Sequence, residues 1–243
     1  MYAYEPILSS IERRVRALYA RQVMDESRPE QGAFISEILG CPAATHGAHA
    51  HDLACACYVF MAEGASLEGD DELFDRIRRG ISFQKRWQRP GGLIDGVVSN
   101  YESPNATAFT VQLLAPVVEV ARGKAEAGDE RAAQIAQALG EYVQTAAQAI
   151  IGRGFHTPNH RWVICSALAQ AITLFPDLSA WDYIESILAE TVDINEDGQF
   201  YERSTGIYNS ACDRSLRFIA DHLGRPELLD PVRKNLDMMV RLF

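Results

Sequence analysis

Two short stretches of this 243-residue chain concentrate side chains that can bind a ligand or move a proton. The first is Phe155-His156-Thr157-Pro158-Asn159-His160-Arg161-Trp162, which gathers two imidazoles, an amide, a guanidinium and an indole at the expected start of a helix. Asn159 falls near that helix N-terminus, where backbone N–H groups and the helix dipole favour an anion such as a carboxylate. The second is Gly198-Gln199-Phe200-Tyr201-Glu202-Arg203-Ser204-Thr205-Gly206-Ile207-Tyr208-Asn209, a loop running into a helix with Tyr208 in its first turn. Taken singly, Asn159 reads equally well as a cap, His160 as packing and Tyr208 as a core residue with a satisfied hydroxyl.

Two further patterns invite a metal. His46-Gly47-Ala48-His49-Ala50-His51-Asp52 puts three imidazoles within six residues, close enough for zinc or nickel, but no second ligand set of recognisable spacing accompanies it. The preferred reading is a polar loop facing a cleft, with His49 or Asp52 touching a ligand or capping the next helix. Asp193-Ile194-Asn195-Glu196-Asp197-Gly198 matches the first half of an EF-hand loop, yet Ser204 stands at the twelfth position where a bidentate Glu is required. That stretch reads as a turn. No metal and no cofactor are expected.

The elements that would position these groups are helices. Helical periodicity runs through nearly the whole chain and alternating β-branched patterns are almost absent, so the class is all-α. Helices are expected over 6–26, 49–63, 70–87, 105–122, 129–151, 159–174, 180–192, 207–223 and 227–243, with Asn105 capping the fourth. The almost wholly apolar 49–63 run predicts a helix buried on several sides. Segments of this length suit antiparallel helical hairpins. The long connections, 91–104 and 193–206, are the ones rich in polar and aromatic residues, and long loops commonly carry function. The first reads as a loop or a short β-like excursion. No repeat of fixed period is present, which argues against a solenoid.

Composition narrows the partners. With 47% apolar and 23% charged residues the chain is an ordinary globular one, and its net charge of −10 with scattered basic residues excludes a nucleic-acid binder. A local pocket of Arg and Asn could still hold an anionic sugar. No run approaches membrane-spanning length and the N-terminus lacks a signal-peptide pattern, so the expected compartment is the cytoplasm, or the periplasm had a leader been removed. Five cysteines are an odd number with no legible disulfide framework, and Cys55, Cys57 and Cys165 are expected to be buried thiols. Oligomeric state has no signature. The chain ends inside a helical pattern, which leads to the expectation that a further domain follows.

Three stretches together resemble the heparinase II/III-like and oligoalginate-type polysaccharide lyases: Ser99-Asn100-Tyr101-Glu102-Ser103-Pro104-Asn105-Ala106-Thr107-Ala108-Phe109, Thr157-Pro158-Asn159-His160-Arg161-Trp162 and Asp197-Gly198-Gln199-Phe200-Tyr201-Glu202-Arg203-Ser204-Thr205-Gly206-Ile207-Tyr208. The similarity spans roughly Ser99 to Met239. It implies that residues 1–243 form one incomplete α/α toroid of antiparallel hairpins, with a C-terminal β-sandwich missing. It also implies an acidic oligo- or polysaccharide substrate cleaved by β-elimination, with Asn159, His160 and Tyr208 as the catalytic residues. Asn159, helped by His160 or Arg161, would neutralise the uronate carboxylate, and Tyr208 would be the acid. The base would be Tyr208 when the eliminated groups share a face of the ring and His160 when they do not. Arg161, Asn100, Tyr101, Asn105, Glu202, Arg203 and Trp162 would surround the sugar. Two alternatives stay open: a toroid glycoside hydrolase using carboxylates among Asp52, Asp95, Glu102 and Asp197, and a non-catalytic helical binding or scaffold domain.

Overall fold

The computed structural model describes residues 4–98, 100–155, 157–203 and 206–242, and these are mostly helical. Ser99, His156, Ser204, Thr205 and Phe243, named in the expected elements and motifs, lie outside the described residues. The described α-helices are α1 (Tyr4–Leu18), α2 (His49–Met61), α3 (Asp71–Arg86), α4 (Pro104–Glu126), α5 (Glu130–Ile150), α6 (Pro158–Leu174), α7 (Trp181–Leu188), α8 (Ile207–Leu223) and α9 (Leu229–Leu242). The expected first helix is shorter than its pattern because it tightens into a 3₁₀ turn at Tyr19–Arg21. The 91–104 connection holds an antiparallel hairpin of β1 (Ile94–Gly96) and β2 (Asn100–Ser103).

Local chemistry accounts for the helix starts. The Asp70 side chain accepts from the Leu73 N–H at 2.7 Å, and Asp129 accepts from Arg131 and Ala132 N–H groups at 2.9 Å, each satisfying donors left open at a helix start. The cap of α4 is not Asn105 but Ser103, which accepts from the Ala106 N–H at 3.2 Å. Pro104 then takes the first helical position, where its missing N–H costs nothing. Asn105 is thereby released from capping. Gly224, at φ 64°, supplies the left-handed residue that ends α8.

Helices α2, α4, α6 and α8 stand side by side, each touching the next, while α3 and α5 pack together behind them. Helices α4, α6 and α8 run parallel: Asn105 meets His160 near the starts of α4 and α6, Arg122 donates to Leu174 O at 2.6 Å near their ends, and Thr173 meets His222 near the ends of α6 and α8. Side-chain bonds fix their register. Gln112 Nε2 donates to Ser166 Oγ at 2.5 Å and to Ser215 Oγ at 2.9 Å, and all three residues are buried. Gln112, Ser166 and Ser215 are each eight residues beyond the first residue of α4, α6 and α8. The three helices therefore start level with one another. The two back helices are likewise parallel, since Asp71 pairs with Arg131 at their starts and Lys85 with Glu141, 2.6 Å apart, towards their ends.

Helix α6 is the centre of the packing. Every residue from Arg161 to Ile172 is buried, and it lies against α4 on one side and α8 on the other. A helix enclosed all round cannot show an amphipathic stripe, and its sequence duly lacks one. By contrast α3 and α5 carry one buried face each, with Leu73, Ile77 and Ile81 or Ile135, Leu139 and Val143 inward. All five cysteines are free thiols, three of them buried.

The Gln112 amide makes this register testable. Replacing Gln112 with Ala leaves two buried hydroxyls short of a donor and opens a cavity, so unfolding free energy should fall by about 2–3 kcal/mol in chemical denaturation. A loss under about 0.5 kcal/mol would mean that the register is held elsewhere.

Candidate functional site

The level starts of α4, α6 and α8 decide which side chains can meet. Asn105, Asn159 and Tyr208 are each the second residue of their helix, seven positions before Gln112, Ser166 and Ser215 respectively. Residues seven apart on an α-helix share a face, one about 10.5 Å above the other at 1.5 Å per residue. The three therefore form a layer two turns above the Gln112 cluster, at the helix starts and on the mutually facing sides. Asn105 and Asn159 are buried in this layer, and Tyr208 is 41% exposed at its edge.

His160 completes the layer and is tied to it. Asn105 Oδ1 accepts from the Phe155 backbone N–H at 3.1 Å, which fixes the orientation of the amide. Its Nδ2 then donates to His160 Nδ1 at 2.8 Å, and Thr157 Oγ1 lies 3.0 Å from the same nitrogen. With the Nδ1 lone pair engaged, neutral His160 carries its proton on Nε2. Burial holds the ring below the ordinary imidazole value, with the Glu202 carboxylate opposing this only in part. His160 therefore sits in the layer as a neutral donor. Gly154 makes the arrangement sterically feasible, because at φ 109° a Cβ would come within 2.7 Å of Asn105 Oδ1 and 2.3 Å of Ile164 Cδ1.

Next to the layer, across the Phe109 ring, lies a pocket of about 310 Å³ lined by Arg14, His46, Gly47, His51, Phe109, Leu113 and Arg214. Phe109 joins the two. Its ring stacks on His46 at 4.3 Å and meets His160 edge-on at 6.0 Å. Burial, together with the neighbouring Arg214, His160 and His51, pushes His46 down to about 4, so it is neutral. His51 is held up to about 9 by its hydrogen bond to Asp52 and is a cation at neutral pH. Larger hollows lie elsewhere, one of about 500 Å³ between α3 and α5, but it contains none of the candidate residues.

Several expected ligand-binding residues are placed differently. Trp162 is fully buried in the core and offers no face to a sugar. Arg161 is 5% exposed, pairs with Glu190 at 2.5 Å and with Asp193, donates to Thr191 O at 2.7 Å, and lies over the Trp162 ring. It is a structural tie that pins the 190–193 segment to α6, and Thr191 stays at φ 62°, unusual for a β-branched residue, within that tie. The Asn159 backbone N–H, expected to await an anion, donates to Glu202 Oε2 at 2.8 Å, so a carboxylate of the chain itself occupies the start of α6. Asn105 positions His160 rather than facing solvent. Asn100 and Tyr101 belong to β2 of the hairpin, both exposed, and Arg203 is an exposed loop residue.

The histidine cluster is divided as well. His49 is buried, accepting from the Phe34 N–H at 3.0 Å and donating to Gly80 O at 2.9 Å, so it braces α2 against α3 and does not reach the pocket. Asp52 is buried beneath Arg14, whose Nη2 and Nε donate to it at 2.6 and 3.0 Å, with Arg21 3.5 Å away. Burial would raise its carboxyl, but the hydrogen bonds from His51 and Arg14 and the two arginine charges outweigh this and hold it below the usual range. Among the described residues no three His, Cys, Asp or Glu side chains converge as a metal ion requires. The acids that a hydrolase would need are scattered: Asp52 is bound by arginines, Asp95 is paired with Arg89 in the hairpin, and Glu102 and Asp197 are exposed.

Sequence reasoning missed Gln112, Phe109, Arg214 and Asp213. A signal existed for the first, since Asn105/Gln112, Asn159/Ser166 and Tyr208/Ser215 share one seven-residue spacing. Asp213 had none. It is buried with Oδ1 unpaired, and burial pushes its carboxyl up to about 7 from an ordinary 3.8. Between those values the folded chain keeps a proton that the unfolded chain has released, so stability falls as pH rises through that window. Asp213→Asn removes this titration. Its melting temperature should match the parent near pH 4 and exceed it at pH 8, and equal melting at both values would refute the assignment. No protein-family profile matches the chain, and none of the curated proteins is significantly similar to it.

Proposed function

We propose that the chain is the helical, α/α-toroid domain of a lyase that cleaves uronate-containing oligo- or polysaccharides by β-elimination. The reading is carried by one observation: the common register of α4, α6 and α8, which brings Asn159, His160 and Tyr208 into one layer beside a cation-lined pocket. Parallel α4, α6 and α8, with α5 turned back along α4 after a three-residue connection, are what a segment of such a toroid would contain.

In this reading the carboxylate of the sugar is held by side chains, because the start of α6 is taken by Glu202. The Asn159 amide and the Nε2–H of His160 donate to it and stabilise the charge that builds up as the C5 proton leaves. His160 acts as a donor and not as the base, since its Nδ1 lone pair is engaged by Asn105. Proton transfer then falls to Tyr208 alone. Its phenolate takes the C5 proton, the electron pair becomes the C4–C5 double bond, the C4–O bond breaks, and the phenol returns the proton to the leaving oxygen. One residue acting as base and then acid requires both groups on the same face of the ring. Glu202, bound to the Asn159 N–H, positions the start of α6 and does not touch the sugar.

The test is direct. Incubated with 4-linked uronate polymers such as alginate, the chain should release product with the ultraviolet absorbance of a conjugated C4–C5 double bond. Tyr208→Phe should lower that rate by about 10²-fold or more while binding is retained. Product without the double bond, or a Tyr208→Phe variant of undiminished rate, would overturn the lyase reading in favour of a carboxylate-driven hydrolase or another site.

A further inference from the structure

The pocket beyond Phe109 holds more positive charge than the chain itself neutralises. Asp52 is shared by Arg14, Arg21 and His51, with Arg21 also 3.3 Å from Glu37. Arg214, on α8 opposite them, makes no ion pair among the described residues. Its Nε donates to Gln112 Oε1 at 3.0 Å, which leaves the two terminal nitrogens of the guanidinium fork for another acceptor. Four cations against Asp52 and the exposed Glu37 leave a local positive excess in a chain of net charge −10.

The remaining lining is apolar or neutral. Phe109 and Leu113 of α4 line it, and neutral His46 stacks flat on Phe109. A ring with an apolar face and an acid group at its edge suits such a surface, with the planar fork of Arg214 matching a carboxylate. The volume of about 310 Å³ accommodates one such ring. His160 meets the edge of Phe109, with ring centroids 6.0 Å apart, so it lies one aromatic ring from the pocket, a separation that suits neighbouring units of a sugar chain.

We infer that this pocket is a carboxylate subsite, in which Arg214 grips the acid group of the sugar adjoining the one held at His160. The substrate then carries consecutive uronic acids, not uronic acids alternating with neutral sugars. The identity of the sugar chain rests on the lyase reading, but the binding of the acid group does not require cleavage. Arg14 and His51 add field at the rim while remaining tied to Asp52, and Arg214 makes the direct contact.

Binding calorimetry in a Tyr208→Phe background, where no product forms, compares a 4-linked uronic acid trisaccharide with its carboxyl-reduced neutral counterpart. Arg214→Gln should weaken the acidic trisaccharide roughly tenfold or more, leave the neutral one unchanged and flatten the salt dependence of binding. Arg214→Lys, which keeps the charge but loses the fork, should fall between the two. If the Gln variant does not fold by circular dichroism, the Lys variant decides alone. Loss confined to the acidic sugar supports the subsite. Unchanged affinity, equal loss on both sugars, or a parent that does not prefer the acidic sugar overturns it. Acid-selective binding with no unsaturated product from the wild-type chain would sink the lyase reading and leave the subsite standing. Elimination by a chain without acid preference at Arg214 would do the reverse.

Discussion

The hydrogen bonds of one buried amide set the geometry on which every other feature of the cleft depends. Gln112 places its Nε2 between the hydroxyls of Ser166 and Ser215 and presents its Oε1 to Arg214. An amide in the interior is costly unless its groups are matched, and a matched one tolerates only one alignment of the helices that supply its partners. Sliding α6 or α8 by one residue would translate it 1.5 Å and turn its faces by about 100°, leaving a hydroxyl or the amide unpaired. The apolar contacts of these helices, largely Ala, Val, Ile and Leu, would accept several alignments at similar cost. Specific polar pairing selects among them, and the layer of Asn105, Asn159 and Tyr208 is aligned as a consequence.

Positions that act through local backbone chemistry were readable from the chain alone. Asp70 and Asp129 precede their helices with side chains that accept from the first turn, and the 207–223 helix has the bounds its pattern implied. Positions whose role depends on which helix lies opposite were not. Asn105 has the chemistry of a cap, yet Ser103 two residues earlier takes that role because Pro104 sets the first helical position. Arg161 and Trp162 look like sugar-binding residues beside Asn159 and His160. Successive helical residues are turned by about 100°, however, so two of the four point away from the cleft into α6's surroundings. There Glu190 and Asp193, some thirty positions on, neutralise the arginine. The all-α class was legible because it depends on periodicity, whereas the ends of α1 and α7 were overextended because those patterns continue into irregular turns.

The charge of the chain and the charge of its cleft have opposite signs, and the distribution of partners explains how. Most arginines outside the cleft are paired with carboxylates, as with Arg76 and Glu72, Arg79 and Asp75, and Arg225 and Glu185. Exposed pairs of this kind contribute little to stability but cancel one another's field. Around the pocket, one buried carboxylate faces three cations and, among the described residues, Arg214 pairs with no carboxylate. At an ionic strength where charges are screened within about 8–10 Å, an approaching anion is governed by the groups in the pocket and not by the surplus of acids on distant surfaces.

A chain of three dependent contacts connects the loop before α6 to the chemistry available in the cleft. Gly154 adopts a φ of 109° and, lacking a Cβ, lets the backbone pass close over Asn105. The next residue, Phe155, can then donate its N–H to the Asn105 carbonyl oxygen, which leaves the amide no choice but to turn its nitrogen towards His160. A donor at Nδ1 forces the neutral imidazole to carry its proton on the other nitrogen. Had the amide been free to flip, the same histidine could have offered a lone pair and served as a base. Which nitrogen of the neutral His160 ring bears the proton is therefore decided by a glycine six residues earlier. It also explains why inspecting residue types around His160 could not assign its role: the deciding group is a backbone N–H, which every residue but proline possesses.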